Sequence, residues 1–395
     1  MPPPPSLCRL GEQFAHLHLL QELDAFTASG VFARRPVRST NKFNHGGTGF
    51  FHAFYLWAVV RSIAPLHIVE SGAFDGLGTW MLRQAAPNAQ ITVISPAMPK
   101  LWVDAHPDTR YFTGKAFLDF NAVQWDCLGM DKARTLIFFD DHQSGYRRML
   151  EAHARGFQHL TFDDNYLPGG DNFSPKAACA ASELAAHLGA GKTMRFADNP
   201  FAKGRPRVYV DAAQLEQIRQ SFGRLASRYE EMPPLWPGPN RHKLNASGVA
   251  RTVQPPLLAA GAERERVYRV PSLKGALRGS AAESEAYTFF SYVRLNGSAA
   301  MASLFVPPGI DSPLPAVTSR ACAGHVTGRA QRTAARGPAA KPHGGPGVRR
   351  GAAAMAEAIA KPPRKGKTLS ALTAVSGVWR RPLRGARAGS VEDEA

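Results

Sequence analysis

The stretch Leu66-His-Ile-Val-Glu70-Ser-Gly72-Ala-Phe-Asp75-Gly76-Leu-Gly78-Thr79 decides the fold. A short apolar run ends at an acid, the chain turns at a glycine, and a helix follows. Glycine after a strand permits a tight turn and lets a ligand approach the backbone. The helix that follows offers its N-terminal N–H groups to that ligand. The spacing is not G-x-G-x-x-G, which counts against a dinucleotide fingerprint. An acid at the strand end, Glu70, suits a cationic or amine-bearing ligand better than a pyrophosphate.

Outward from this turn, strands and helices alternate. Thr79 to Ala86 reads as a helix stopped by Pro87-Asn88, and Gln90 to Ile94 as a strand stopped by Ser95-Pro96. Arg110 to Thr113 is a third strand before Gly114. Thr135 to Phe139 is a fourth, ending at Asp140-Asp141, and His159 to Phe162 is a fifth, ending at Asp163-Asp164-Asn165. Tyr146 to Arg155 reads as a helix between them. Short apolar strands alternating with helices predict an α/β, Rossmann-like fold, with a mostly parallel sheet covered on both faces. Ligands of such sheets sit at the carboxyl ends of the strands, where the acidic and glycine-rich clusters fall.

The flanks are less regular. Leu10 to Phe26 and Phe50 to Ile63 have helical apolar content, and Asn44 to Gly49 is a turn-rich loop that could cover a ligand. Lys176 to Leu188 and Ala213 to Tyr229 read as helices, and Arg207 to Val210 as a strand. Arg266 to Val270 and Ala286 to Arg294 are β-rich and would supply an antiparallel edge pair near the end of the domain. Tyr166 to Asp171 would shape the mouth of the crevice. Three regions are expected: a leader over 1–41, a Rossmann-like domain over 42–296, and a basic, low-complexity, disordered tail over 297–395.

Glu-x-Gly-x-x-x-Gly after the first strand resembles motif I of class I S-adenosylmethionine-dependent methyltransferases. Its style is closest to the caffeoyl-CoA O-methyltransferases and the cephalosporin-hydroxylase-like group. The resemblance covers residues 42–170, with 171–296 alike only in topology. It implies S-adenosylmethionine as cofactor, held by Glu70, Gly72, Asp75, Gly76, Gly78 and Thr79, with Ser95 at the ribose and Asp119 on the adenine side. In those families the second strand ends in an acid; here Ser95 stands there, and a hydroxyl does not replace a bidentate carboxylate.

Metal-dependent members carry an Asp after strand four and an acidic or Asp-Asn pair after strand five. By that likeness Asp140, Asp141, Asp164 and Asn165 are the candidate ligands of a divalent cation. Oxygen donors suit Mg²⁺ or Ca²⁺, and a metal prepares a bound hydroxyl as a nucleophile. Asp141 and His142 are the candidate catalytic residues, His142 as general base because its pKa lies near neutrality. The alternative is that these acids cap the following helices and pair with Arg147 or Arg148.

The chain has 395 residues and a formal net charge of +17. From Arg251 onward there are 22 Lys/Arg against 9 Asp/Glu, and before it 26 against 22, so the basic character belongs to the C-terminal part. Aromatics are sparse there and no RNA-binding fingerprint occurs, so a nucleic-acid partner is not expected. Cys8, Cys127, Cys179 and Cys322 form no CxxC, so neither a disulfide framework nor a Cys-based zinc site is expected, and a reducing, cytoplasmic setting is. Neither a membrane span nor a secretory signal is expected. The function expected is methyl transfer to an oxygen of a small molecule or sugar. The competing reading is a Rossmann-like binding protein or other transferase, such as a glycosyltransferase, that has lost use of S-adenosylmethionine.

Overall fold

The computed structural model describes residues 14–36, 49–165, 172–197, 207–235, 256–258, 290–308 and 310. The strands are β1 His67–Ser71, β2 Gln90–Ser95, β3 Thr109–Thr113, β4 Thr135–Phe139, β5 His159–Phe162, β6 Met194–Ala197, β7 Arg207–Val210, β8 Ala226–Glu231 and β9 Ser291–Leu295. The helices are α1 His16–Ser29, α2 Phe50–Ile63, α3 Leu77–Ala85, α4 Gly145–Ala154, α5 Pro175–Cys179, α6 Ala181–Leu188 and α7 Ala212–Leu225. Seven strands form one sheet in the order β3-β2-β1-β4-β5-β9-β8, and β6 and β7 form a separate antiparallel pair. β1 to β5 are mutually parallel. β9 is antiparallel to both β5 and β8, so it is the reversed strand of the sheet.

The two faces of the sheet follow from side-chain alternation along each strand. Ile68, Leu136 and Phe138 face a core built with α1, α2 and α3. Val69, Ile137 and Phe139 face a second core built with α4 and the helices from α5 to α7. A sheet buried on both faces requires near-continuous apolar strands, which explains why β1 and β4 are buried at every position.

Chain order reverses at β1: β2 and β3 lie to one side of it and β4 and β5 to the other. The crevice between the carboxyl ends of β1 and β4 is therefore the topological switch point, where open α/β sheets bind ligands.

The structure corrects four expectations. The helix expected to run to Tyr229 ends at Leu225, and Ala226 to Glu231 pairs with β9 instead. Cross-strand pairing and burial of Ala226 and Tyr229 outweigh local helix propensity there. The helix over 176–188 is split at Ala180; Ser174 caps its first part through the Ala177 N–H, with Pro175 at the first turn. The edge pair is made by β8 and β9, whereas Arg266 to Val270 lies outside the described residues, as do Asn44 to Thr48 and Tyr166 to Asp171. Finally, Cys127 and Cys179 are not free thiols; both are disulfide-bonded. Wide spacing in sequence sets no limit on proximity in a folded chain. No helix among the described residues is long and apolar enough to cross a membrane.

Ordered packing continues beyond Asn296. Leu304 and Ile310 are buried in the core that contains α4 and α7. The Phe305 carbonyl accepts a hydrogen bond from the Tyr146 hydroxyl at 2.8 Å, and the Phe305 N–H donates to Ser221 Oγ at 2.6 Å. A chain ended after Asn296 is expected to be about 3 kcal/mol less stable than one ended after Ile310, from the two lost apolar side chains. Urea denaturation of the two chains measures this, and equal midpoints would show that the segment adds nothing.

Candidate functional site

Glu70 is fully buried near the carboxyl end of β1. Thr79 Oγ1 donates a hydrogen bond to Glu70 Oε2 from the first turn of α3. The second oxygen, Oε1, rests against Gly78, where a Cβ would come within 2.3 Å of it. Burial is the main cause that pushes the Glu70 carboxyl up to about 8; the Thr79 bond opposes it and the Asp104 charge adds to it. The acid thus lies beneath the turn as a clamp between β1 and α3.

The glycines answer to the protein's own backbone. Gly72 has φ +95°, and a Cβ there would lie 2.1 Å from the Asp140 carbonyl oxygen. Gly76 has φ +94°, and its Cβ would lie 2.0 Å from the Trp102 carbonyl oxygen. Both positions need the left-handed region and the absence of a side chain. The Trp102 N–H also donates to the Asp75 carbonyl at 3.1 Å, so the loop after β2 is fastened across the turn. Arg83 holds that loop through Asp104, with Nε to Oδ2 at 2.8 Å. Phe74, between the glycines, is 59% exposed and has φ +40°, a costly conformation for a side chain that packing does not enforce. Asp75 is half-buried on the same turn, and Ser95 is buried beside Thr113 at the end of β2.

At the end of β4 the three residues Asp140, Asp141 and His142 diverge. Asp141 turns to Arg148, accepting from its Nε at 3.0 Å and its Nη2 at 2.8 Å, and from Ser71 Oγ at 2.6 Å. Arg148 is fully buried, and all five of its N–H donors are engaged by Asp141, Asp119 and Glu151. Burial alone would raise the Asp119 carboxyl, but the bonds and charge of Arg148 override it and hold it well below the usual carboxylate range. Asp119 also caps the Asn121 N–H and accepts from Gln143 Nε2. Asp119 and Asp141 therefore belong to the Arg148 ion cluster.

Asp140, His142 and Asp164 come together. One ligand atom of each lies within 4.8 Å of those of the other two. His142 has φ +55°, which swings its ring back toward β5, and its Nδ1 is 3.0 Å from Asp164 Oδ2. Burial would lower the His142 pKa, but the bond and charge of Asp164, with Asp163 and Asp141, push it up to about 9. A cation bound in the proton's place would oppose that rise. Burial and then the charges of Asp163, Asp164, Glu70 and Asp141 hold the Asp140 carboxyl well above its usual range. Asp140 and His142 are half-buried and Asp164 is buried, and a carboxylate among like charges favours a cation, so this donor set fits a divalent metal.

Asn165 is turned elsewhere. Its Nδ2 donates to the Tyr229 hydroxyl at 2.9 Å and its Oδ1 accepts from the Lys176 N–H at 2.8 Å. Sequence reasoning missed His52. It reaches Asp163 from the first turn of α2, Nδ1 to Oδ1, with both side chains buried. A histidine inside an otherwise apolar helical run was the available signal. It also missed Arg148 as the common partner of Asp119 and Asp141, which are far apart in the chain.

No protein-family model matches the chain, and no curated protein matches it by sequence. Among solved structures it is similar to the O-methyltransferase from Bacillus cereus in complex with SAH. That likeness is 11% identical with a TM-score of 0.29, over 70% of this chain and 90% of that one. It is also similar to an SAH-bound methyltransferase from Podospora anserina, at 12% identity and a TM-score of 0.25, over 55% and 83% of the two chains. A third is the N-terminal domain of EvdMO1 with SAH and D-fucose, at 13% and 0.31, over 53% and 89%. The fold and the crevice stand on this chain's own strand order and geometry.

Two outcomes follow from this geometry. Replacing Arg148 with Met leaves three carboxylates without their cation and is expected to cost about 3–5 kcal/mol in urea denaturation; a loss under half of that would mean the cluster is not what holds the β4 turn. Glu70 has a folded pKa of about 8 against an ordinary 4.5. Its protonated form is favoured by folding, so this stability is present below pH 4.5 and lost as pH rises toward 8. Glu70→Gln is therefore expected to stabilise the metal-free protein at pH 7, on the order of 2 kcal/mol, and to change little at pH 4. An equal effect at both pH values would refute the buried, protonated acid.

Proposed function

We propose that the chain is an S-adenosylmethionine-dependent methyltransferase acting on an oxygen of a small molecule or sugar, with a divalent cation at Asp140, His142 and Asp164. One observation carries this reading: the glycine turn after β1 and the three metal-type donors flank the same crevice, the switch point between β1 and β4. The reversed β9 between β5 and β8 agrees with the sheet that the motif resemblance implies. Residues 42–296 would be the working domain, strapped by 297–310, and the basic tail would take no part in chemistry.

Bound S-adenosylmethionine supplies an electrophilic methyl group, and a bound cation would lower the pKa of the acceptor hydroxyl. The protein's part is mainly positioning, which can supply a large share of a bimolecular barrier. Glu70, through Thr79 and Gly78, fixes the turn that receives the cofactor. Asp75 offers that turn a half-buried carboxylate for the cofactor's amino group. Asp140, His142 and Asp164 orient the acceptor oxygen, and Arg148 holds the β4 turn that presents the first two.

Ser95 favours a second reading. With no carboxylate at the end of β2, the ribose hydroxyls lose a bidentate partner, as a Rossmann-like protein using another ligand would allow. Isothermal calorimetry on the full chain separates the two. The first predicts micromolar binding of S-adenosylmethionine, weakened about tenfold by Asp75→Ala. Silence toward S-adenosylmethionine together with heat from a nucleotide-sugar would replace it with the second.

A further inference from the structure

In the turn after β4 the first and third residues meet Asp164, and the second does not. Asp141 is pinned between them. It accepts from Arg148 Nε and Nη2 and from Ser71 Oγ, and its Oδ1 accepts from the Gln143 N–H at 3.2 Å. That last bond closes the backbone around His142, which takes φ +55°. Asparagine, aspartate and histidine are the side-chain-bearing residues that enter this left-handed region most readily. Asp140 and His142 are thereby brought to Asp164, with one donor atom of each within 4.8 Å of the others. Asn165, whose amide oxygen the motif likeness put in the set, is held instead by Tyr229 and by the Lys176 N–H. An imidazole nitrogen thus stands in a set that the sequence made all oxygen.

We propose that His142 is a metal ligand, and that it makes this a site for a borderline transition-metal ion such as Zn²⁺ or Co²⁺ in preference to Mg²⁺ or Ca²⁺. The proposal rests on the cation reading above and goes beyond it by naming the class of ion. Mg²⁺ and Ca²⁺ take oxygen donors, and Mg²⁺ gives up its waters reluctantly. Imidazole nitrogen suits zinc and its transition-metal neighbours. Nitrogen and carboxylate donors sit about 2.0–2.2 Å from such an ion, so two at adjacent positions lie about 3 Å apart. His142 Nδ1 and Asp164 Oδ2 are 3.0 Å apart. A hydrogen bond spans the same distance, which is why the test reads the donor and not the spacing. Three protein ligands leave the further position that an acceptor oxygen would take. An imidazole that ligates through one nitrogen carries its proton on the other, so His142 is then not the general base.

The test uses the full chain after chelator treatment. Co²⁺ binding is read from its visible absorption, and Mg²⁺ binding by competition against Co²⁺. Co²⁺ outbinds Mg²⁺ at most sites, so what decides is the change in the ratio of the two dissociation constants between variants. Both ions carry the same charge, and a change in general electrostatics cancels in that ratio. His142→Asp keeps a ligand and a residue that tolerates the left-handed turn but replaces nitrogen with oxygen. It is expected to shift the ratio toward Mg²⁺ by about tenfold or more. Asn165→Ala is expected to keep the wild-type ratio. Pulsed electron paramagnetic resonance of the Mn²⁺-loaded wild type is expected to show a coupled imidazole nitrogen, and His142→Asp to lose it. An unshifted ratio in folded His142→Asp overturns the proposal, as does a shift of that size in Asn165→Ala. If His142→Asp does not fold, the resonance of the wild type decides, and absence of a nitrogen coupling overturns the proposal while the cation reading stands. Absence of any cation binding to the wild type would overturn this proposal and the metal part of the proposed function, while leaving cofactor binding to be judged by calorimetry.

Discussion

Arg148 is the interaction on which the crevice depends. It is a cation with no exposure, and it survives burial because three carboxylates surround it. They come from different parts of the chain: Asp119 from the loop after β3, Asp141 from the end of β4 and Glu151 from α4 itself. A charge taken out of water needs such compensation at every donor. The same requirement fixes the loop, the strand end and the helix relative to one another. Because Asp141 is tied down, its neighbours Asp140 and His142 are displayed in one orientation. The left-handed conformation of His142 completes that turn.

The glycines show how a single feature serves both folding and binding. Gly72 and Gly76 are required by carbonyl oxygens about 2 Å from where a Cβ would stand. Their presence is therefore explained without any ligand. What points to a ligand is the surroundings: a strained, exposed Phe74, a half-buried Asp75, and the place of the turn at the strand-order reversal. The likeness to methyltransferase motif I is informative because it falls on that place, and Ser95 marks where the likeness departs.

Around the crevice, charge is arranged in pairs. His142 meets Asp164, His52 meets Asp163, and Arg148 meets Asp141 with Asp119. Among the described residues, no side chain donates a hydrogen bond to the carboxylate of Asp140, which is raised by its acidic neighbours. That asymmetry makes Asp140 the centre of the cation reading. It also separates residues that would touch a ligand from those that hold other residues in place.

The sequence by itself determined the strands β1 to β5, the span of α2, and the carboxyl ends where acids and glycines collect. Those features depend on local apolar runs and on turn residues, which a linear pattern records. It also raised the pairing of the acids with Arg148 as an alternative. Only the tertiary structure decided which acids share a site. Asp141 and Asp140 are adjacent, yet one faces an arginine and the other the crevice, because successive residues at a strand end point opposite ways. Asn165 is held at both ends of its amide, by Tyr229 and by Lys176. His52 entered because α2 packs across the carboxyl edge of β5. The fate of 226–231 was likewise settled by β9, more than fifty residues away. Long-range pairing and burial of charge have no local signature, since their energies depend on partners that only folding brings near.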